Sequence, residues 1–370
     1  MKVILVLGST LRFLPWAPFY LDKLLHLGCD ITVITWNREG MDEIEIDNRI
    51  HMHQLNLPLD NSIKKFKKIS SYLKFRKFVI SEIKKNDYDL MIVSMAQTSL
   101  CIYDILQKQY QNKYIYDMRD PSFEKIPVLS MMLKKIVRNS SIVFISSEGY
   151  RCLLPTNVRI VTNHNYREKD KEIYKKMSHT AESDRIRISF WGFIRDIEVN
   201  KIFIERIAND DRFILNYYGA LWGEAEKLFS FCKEHKIENV SYCGTYGENG
   251  RIDIATRTDL ILNLYANDNN GENPRMTNKY YDGVMFNIPQ IVYDGGYMSK
   301  LVKKKSIGFS TNLSDDTADR LYDYYRGIDK KIFYENCKAE LRRIEEEQKY
   351  AKKCLEETIR EKDIYGSLKR

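Results

Sequence analysis

The chain has 370 residues, of which 44% are hydrophobic and 30% are charged. This length is about two to three times that of an ordinary domain and favours two domains. The composition is that of a folded protein and excludes a disordered, collagen-like or membrane-spanning chain. The first residues contain neither the apolar core nor the cleavage site of a signal peptide, so we expect a cytoplasmic protein.

The cysteines and the net charge narrow the possible partners. The seven cysteines are scattered and odd in number, so we expect reduced thiols and neither disulfides nor zinc ligands. The 59 basic and 51 acidic side chains leave a formal net charge of +8, which suits a nucleotide, a phosphate group or a lipid surface without choosing among them. Nucleic acid is not expected as a partner, because the sequence contains no nucleic-acid-binding motif.

The first half of the chain alternates short apolar runs with segments of helical period. An apolar run over 2–8 is followed by a helical segment over 16–27 and a second apolar run over 31–36, which is the pattern of a βαβ unit. The same rhythm returns at 90–94, 114–117 and 142–146. We predict a parallel sheet covered by helices, in a domain that spans 1–165.

The second half repeats this organisation. A charge-rich segment over 166–185 indicates a linker, and a second parallel α/β domain is predicted over 186–345. Its predicted strands are 186–191, 213–218, 240–243, 260–264 and 290–293. The remaining segment, 346–370, is predicted as a helix that packs across the two domains. Because parallel sheets bind ligands at their carboxyl ends, we expect the site between the domains.

The turn after the first strand excludes two common nucleotide-binding classes. Its sequence from Gly8 to Arg12 is Gly-Ser-Thr-Leu-Arg, which is neither the GxGxxG of dinucleotide-binding proteins nor the GxxxxGK of a P-loop. A dehydrogenase and a P-loop enzyme are therefore disfavoured.

The most informative segment is Thr277 to Gly283, predicted as the first turns of a helix. Lys279 and Asp282 stand three residues apart and share one face, and Thr277 or Asn278 can cap the helix. A lysine in the first turn opposes the helix dipole at a cost of about 0.3–1 kcal/mol, which an anion bound at the helix start would explain. The alternative is that Lys279 simply pairs with Asp282.

This segment resembles a known family. The pattern Asn-Lys-x-Tyr-Asp-Gly, with Pro289 ten residues after the lysine, resembles the sugar-nucleotide helix of GT-B-fold glycosyltransferases of the family-4 kind, enzymes of bacterial capsule, O-antigen and exopolysaccharide synthesis. Further segments resemble these enzymes in the same order: 116–120, 146–155, 163–165 and 190–195. The resemblance implies an α/β protein of the GT-B fold, with two Rossmann-like parallel-sheet domains facing each other across a cleft, the first for the acceptor and the second for the donor.

The resemblance also implies donor-binding residues. Asp282 stands where the family has a ribose-binding glutamate, and Lys279 and Arg195 would neutralise the diphosphate. The further donor-side residues are Asn278, Gly192, Gly219, Gly244 and, near the nucleobase, Tyr246. For the glycines, a plain strand-to-helix turn is the alternative. We expect Lys279 and Asp282 to be exposed in the cleft and bonded only to the ligand or to each other.

The residue that faces the reacting carbon is less clearly marked. Retaining relatives often have a second glutamate eight residues before the ribose-binding one, where this chain has Pro274, and the nearby Glu272 is out of register. Retention of configuration is the expected outcome. If the enzyme inverts, Asp120 or Asp117 becomes the candidate general base.

Other candidate residues lie on the acceptor side. Gly8 and Arg12 are expected to line it, together with Arg119 and His164. For Arg119 the alternative is a structural ion pair with the neighbouring aspartates. For His164 the alternative is a hydrogen-bonded hinge residue.

No metal and no cofactor are expected besides the UDP- or GDP-linked sugar substrate. Arg195, Lys279 and a helix amino end would stabilise the leaving group in place of a cation. The pair Asp87 and Asp89 directly precedes a strand, where such residues form turns, and the two histidines at 51 and 53 lack a third zinc ligand.

A basic amphipathic helix is predicted over 62–85. Its lysines Lys64, Lys65, Lys67 and Lys68 could hold the protein to an anionic membrane, the alternative being a solvated helix face. The sequence thus predicts a hexosyltransferase that acts on a lipid-linked saccharide in bacterial surface polysaccharide synthesis. The alternatives are a sugar-nucleotide 2-epimerase on the same fold and a non-enzymatic two-domain ligand-binding protein.

Overall fold

A computed structural model describes residues 1–41, 43–59, 65–123, 125–175, 183–221, 224–247, 250–266 and 273–367. The chain divides into two compact units. Unit 1 consists of Met1–His164 and Glu346–Arg370, and unit 2 of Asn165–Glu345. Each unit is built on one β-sheet, with seven strands in unit 1 and six in unit 2.

The sheet of unit 1 is entirely parallel, with the spatial order β3-β2-β1-β4-β5-β6-β7. Its strands are β1 (Lys2–Val6), β2 (Asp30–Asn37), β3 (Ile50–Asn56), β4 (Leu90–Ser94), β5 (Tyr114–Met118), β6 (Ile142–Ile145) and β7 (Ile160–Thr162). The apolar runs of the first half form the central strands, as predicted. The short edge strand β7 was not predicted, because three residues carry too little periodicity.

Helices cover both faces of this sheet. They are α1 (Pro18–His26), α2 (Lys65–Ile83), α3 (Ala96–Cys101), α4 (Tyr103–Lys108) and α5 (Pro127–Arg138). Apolar side chains of α2 to α5 pack in one core on one face. Those of α1 pack in the other core, together with residues from the end of the chain such as Leu355 and Ile359.

The sheet of unit 2 is also parallel, with the order β10-β9-β8-β11-β12-β13. Its strands are β8 (Ile186–Trp191), β9 (Phe213–Tyr218), β10 (Val240–Tyr242), β11 (Leu260–Asn263), β12 (Gln290–Tyr293) and β13 (Gly308–Thr311). The helices that follow from residue 165 are α6 (Glu168–Lys175), α7 (Ile197–Arg206), α8 (Glu226–Glu234), α9 (Gly250–Ala255), α10 (Asn278–Phe286), α11 (Tyr297–Lys305), α12 (Thr317–Arg326) and α13 (Lys330–Ser367).

Two parallel, helix-covered sheets confirm the predicted α/β class with two Rossmann-like domains. The segment predicted as a linker over 166–185 contains α6, and Tyr174 of this helix stacks on Phe286 of α10 at a centroid distance of 4.4 Å. The basic helix α2 is continuous through Ser70 and Ser71. Within the described ranges, no helix is both long and apolar enough to cross a membrane.

Candidate functional site

Three glycines follow three neighbouring strands of unit 2. Gly192, Gly219 and Gly244 come after β8, β9 and β10, and their φ angles are +114°, +127° and +79°. A Cβ atom on Gly219 would lie 1.9 Å from the carbonyl oxygen of Gly192, and the Gly219 amide donates to the Gly244 carbonyl at 2.8 Å. Only glycine fits both the backbone angle and the close approach at Gly219, so this sheet edge is formed by bare backbone.

Lys279 brings a positive charge to this edge from helix α10. The helix begins as predicted, because the Thr277 hydroxyl accepts a hydrogen bond from the Tyr280 amide at 3.4 Å. The Lys279 ammonium lies 4.0 Å from the centroid of the Phe190 ring and donates to the Tyr265 hydroxyl at 2.8 Å. A Cβ atom on Gly192 would lie 3.9 Å from it, so the ammonium is directly beside the end of β8.

Two arginines extend the positive region. The Arg195 guanidinium lies 5.5 Å from the centroid of the same Tyr265 ring, and Arg275 follows on the segment before α10. The carboxylate of Asp196 interacts with the charges of both arginines and of Lys279; its backbone is left-handed and its side chain makes no capping hydrogen bond to helix α7. Burial raises the pKa of Asp196, although the positive charges of Arg195, Arg275 and Lys279 oppose the rise. Three cations around one carboxylate leave a net positive site, of the kind that attracts phosphate.

Asp282 is held by protein side chains on both of its carboxylate oxygens. Oδ2 accepts a hydrogen bond from the indole nitrogen of Trp191 at 2.8 Å, and Oδ1 accepts one from Arg251. The same guanidinium also donates to Asp170 of α6. These residues form a buried network in which one arginine pairs with two carboxylates.

The expectation that Lys279 and Asp282 are exposed and bonded only to a ligand or to each other is therefore wrong. Their exposed fractions are 4% and 1%, because α10 is covered by protein from its second residue onward. Arg251 and Asp170 were not predicted, because no local spacing connects them with Asp282.

Tyr246 and Asn278 are two further residues predicted for the donor side. Tyr246 is half-buried, and burial raises the pKa of its hydroxyl while the charge of Arg251 lowers it. Asn278 is exposed at the first position of α10. Glu272 lies outside the described residues, and its predicted role beside the reacting carbon stays a prediction.

In unit 1, a residue of β5 and one just after this strand form a buried ion pair. Arg119 donates from Nε to Asp117 at 2.8 Å, and its guanidinium lies 4.6 Å from the centroid of the Trp16 ring. Asp117 has no exposed surface, and burial raises the pKa of its carboxyl. The structural ion pair is thus the correct alternative for Asp117, which cannot reach an acceptor hydroxyl. Asp120 is exposed, and its role as a general base stays a prediction.

His164 is hydrogen-bonded within the same unit. Its Nε2 lies 2.8 Å from a carboxylate oxygen of Glu347, and its amide donates to Gln348 at 3.0 Å. His164 as a whole is 6% exposed. This placement corresponds to the hydrogen-bonded alternative and not to a residue that donates into an open site.

In the turn after β1, two backbone amides donate hydrogen bonds to the side chain of Glu43, a residue of the same unit. The Arg12 amide and the amide before it donate to Glu43 at 3.1 and 3.0 Å. A Cβ atom on Gly8 would lie 2.4 Å from the Thr98 hydroxyl, so close packing against α3 explains this glycine. The acceptor-side role predicted for Gly8 and Arg12 stays a prediction.

The lysines predicted to meet a membrane are only partly described. Lys64 lies outside the described residues. Lys65 and Lys67 belong to α2, but their side chains are not described, and Lys68 is half-exposed. Their membrane role stays a prediction.

Comparison with known proteins identifies the fold. The sequence matches no family model, and no curated protein is similar to it in sequence. Solved structures do match: sucrose-phosphate synthase of Thermosynechococcus elongatus has a TM-score of 0.71 at 12% identity, covering 100% of this chain and 99% of that one. HepE of Anabaena in complex with UDP has a TM-score of 0.69 at 12% identity, covering 96% and 99%. Trehalose 6-phosphate synthase of Burkholderia multivorans has a TM-score of 0.68 at 10% identity, covering 99% of each chain.

The chain has the GT-B fold. At these identities the likeness defines the fold and leaves the activity open. Within this GT-B chain, the cationic group of unit 2 and the buried pair of unit 1 each follow the carboxyl ends of parallel strands, which is where α/β sheets bind their ligands.

Proposed function

We propose that this protein is a glycosyltransferase that takes its sugar from a nucleoside diphosphate donor. The observation that carries the proposal is the Lys279 ammonium beside the bare backbone of Gly192, with Arg195 against the same Tyr265 ring as Lys279. A diphosphate is a compact anion that needs several cationic donors, and a glycine edge lets it approach the backbone.

The structural neighbours support a nucleotide-sugar donor. HepE of Anabaena has been solved with UDP, with UDP and glucose, and with UDP-glucose. Starch synthase IV of Arabidopsis thaliana has been solved with ADP and acarbose. We therefore favour a nucleotide-linked hexose, with UDP or GDP as the carrier, as the donor of this chain.

The donor-side residues divide the work of binding and of releasing the nucleotide. Arg195 and Lys279 neutralise the charge that develops on the diphosphate as the bond to the sugar breaks, so no metal ion is required for this step. Tyr246 lies near the nucleobase. Asp282 is 1% exposed and accepts hydrogen bonds from Trp191 and Arg251, so in this proposal it orders the donor site through Arg251 and does not bind the ribose directly.

On the acceptor side we propose a lipid-linked saccharide in the synthesis of a bacterial surface polysaccharide, which places the enzyme in the cytoplasm at the membrane. Retention of configuration is the proposed outcome. If the reaction inverts, Asp120 is the general base, since it is the exposed carboxylate after β5 and a base must reach the hydroxyl it deprotonates.

Thermal-shift titration tests the donor class. UDP-, GDP-, ADP- and dTDP-sugars are added separately to wild-type protein, to Lys279→Ala and to Lys300→Ala, which removes an exposed lysine of the same unit. At least one nucleotide class should raise the melting temperature of wild type and Lys300→Ala by the same amount. The shift should be lost in Lys279→Ala. Absence of any shift with all four classes would refute the proposal.

A further inference from the structure

Unit 1 exposes a group of large apolar side chains on two helices. On α2, Ile69 and Leu73 are 56% and 54% exposed. On α5, Val128 and Met131 are 61% and 65% exposed, and Ile126, directly before this helix, is 48% exposed. Apolar residues that occur singly on a surface need no explanation, but a group of this size indicates a contact with something outside the unit.

The two helices lie on the same face of the sheet. Both pack into the core that covers one side of it, and α3 lies between them in contact with each. In a parallel sheet the chain leaves a strand at the carboxyl edge and enters the next helix there, so both helices begin at that edge. The exposed apolar residues belong to the first half of each helix. They therefore share one edge of the sheet.

Each helix changes from apolar to basic along its exposed side. On α2, Ile69, Leu73 and Lys77 follow each other at intervals of four residues and lie on one row of the helix surface. On α5, Met131 is followed on the same row by Lys135. Four residues of helix correspond to about 6 Å, so each row places a lysine about one helical turn behind its apolar side chains.

The charged side chains around these rows on the two helices are basic, and the half-exposed Asp104 of α4 pairs with Arg76 of α2. The sequence contains no acidic residue from 65 to 81 and none in α5. Further exposed basic side chains are Lys74 on α2 and Lys134 and Arg138 on α5. A protein partner would have to supply acidic groups in two separate places, whereas an anionic bilayer offers apolar depth and surface negative charge together.

We propose that this α2–α5 surface, defined by Ile69, Leu73, Ile126, Val128 and Met131 with the lysines behind them, docks on an anionic lipid bilayer. The apolar residues enter the boundary between headgroups and acyl chains, a layer about 5–10 Å deep. The lysines then lie at the height of the anionic headgroups, which attract them. Helix α5 thus contributes as much to docking as the basic helix α2.

Vesicle sedimentation tests this surface. Three proteins are compared: wild type, the double variant Val128→Glu/Met131→Glu and the control Ile332→Glu/Tyr334→Glu. Each is mixed with vesicles of pure phosphatidylcholine or of phosphatidylcholine with phosphatidylglycerol. The control adds the same charge at apolar residues that are 60% and 48% exposed elsewhere. Wild type and control should bind the anionic vesicles alike. The double variant should bind at least about tenfold more weakly, because it loses apolar burial and meets like charge.

Three results would overturn the proposal. In the first, wild-type protein does not bind anionic vesicles at low salt. In the second, the double variant binds them as tightly as wild type. In the third, wild-type protein self-associates and the double variant does not. Nucleotide-induced thermal shifts measured on the same samples keep this test separate from the proposed function, since the donor residues belong to unit 2. A variant that still responds to nucleotide but no longer binds vesicles supports the surface alone.

Discussion

The Lys279 ammonium and the Tyr265 hydroxyl are joined by a hydrogen bond of 2.8 Å. The ammonium also lies over the face of the Phe190 ring, where the negative face of the ring attracts it. The charge is therefore held in place before a ligand arrives, with one donor engaged and two N–H groups left for an anion.

Replacing Tyr265 tests this positioning. Tyr265→Phe removes the hydroxyl and leaves the ring, so Lys279 keeps its charge and loses its fixed direction. We expect nucleoside diphosphate to bind about tenfold more weakly, since hydrogen bonds to charged groups contribute about 1.5–3 kcal/mol. Isothermal titration calorimetry measures the effect, with the exposed Tyr334→Phe as the matched control. Equal affinities in wild type and both variants would show that the contact does not serve the donor.

Replacing Asp282 should destabilise the fold. Asp282→Ala leaves Arg251 with Asp170 as its remaining partner and removes the acceptor of the Trp191 indole. Breaking a buried ion pair costs about 3–5 kcal/mol. Urea denaturation should show this loss in the free energy of unfolding of Asp282→Ala. The control is Asp253→Ala, which removes an exposed partner of Arg257 and should change the free energy of unfolding by about 0–1 kcal/mol. A loss of similar size in both variants would contradict the buried network.

Two glycines of unit 2 should respond differently to alanine. In Gly219→Ala the new Cβ would lie 1.9 Å from the Gly192 carbonyl at a φ of +127°. Crowding and backbone strain of this kind cost about 1–3 kcal/mol or more. Gly247→Ala meets no atom of the described residues within 4 Å and should be nearly neutral. Thermal unfolding of the two variants measures the difference, and similar melting temperatures would contradict the close approach of the strand ends.

The pH dependence of stability should reveal the contact between α13 and α1. Hydrogen bonds from Lys23 and Arg360 lower the pKa of Glu356 to about 2 from its ordinary value of 4.5. A lowered folded-state pKa stabilises the fold above pH 4.5, and this contribution disappears as the pH falls towards 2. Glu356→Gln should therefore be less stable than wild type near neutral pH, and the difference should vanish in acid. Denaturation curves across pH measure it, with Glu361→Gln as the control. A difference that does not change with pH would contradict the pairing.

The fold was predictable because it depends on local pattern. Buried parallel strands such as β4 and β6 are nearly continuous apolar runs, and the start of α10 is marked by the capping residue Thr277. Lys279 and Arg195 were singled out through the family resemblance; the Lys279 ammonium lies beside the end of β8, and the role of both residues towards a diphosphate stays a prediction.

The environment of Asp282 was not predictable. Its partners come from residues 91 and 31 positions away along the chain, and Asp170 belongs to a segment whose charge density indicated a linker. The burial of Asp117 was missed because an aspartate near the carboxyl end of a strand is usually found in an exposed turn. Side-chain networks of this kind depend on tertiary packing, which periodicity does not encode.

Release of nucleoside diphosphate from a nucleotide sugar tests the central claim most directly. Wild-type protein, Lys279→Ala and Lys300→Ala are incubated with the donor that gives the largest thermal shift, without acceptor and with EDTA present. Chromatography then measures free nucleoside diphosphate and free sugar. With water as acceptor, wild type and Lys300→Ala should release both products slowly and in equal amounts. Lys279→Ala should release them at least about tenfold more slowly, because the charge on the leaving group is no longer neutralised. Release of neither product by wild type from any of the four nucleotide classes, with or without EDTA, would contradict the account.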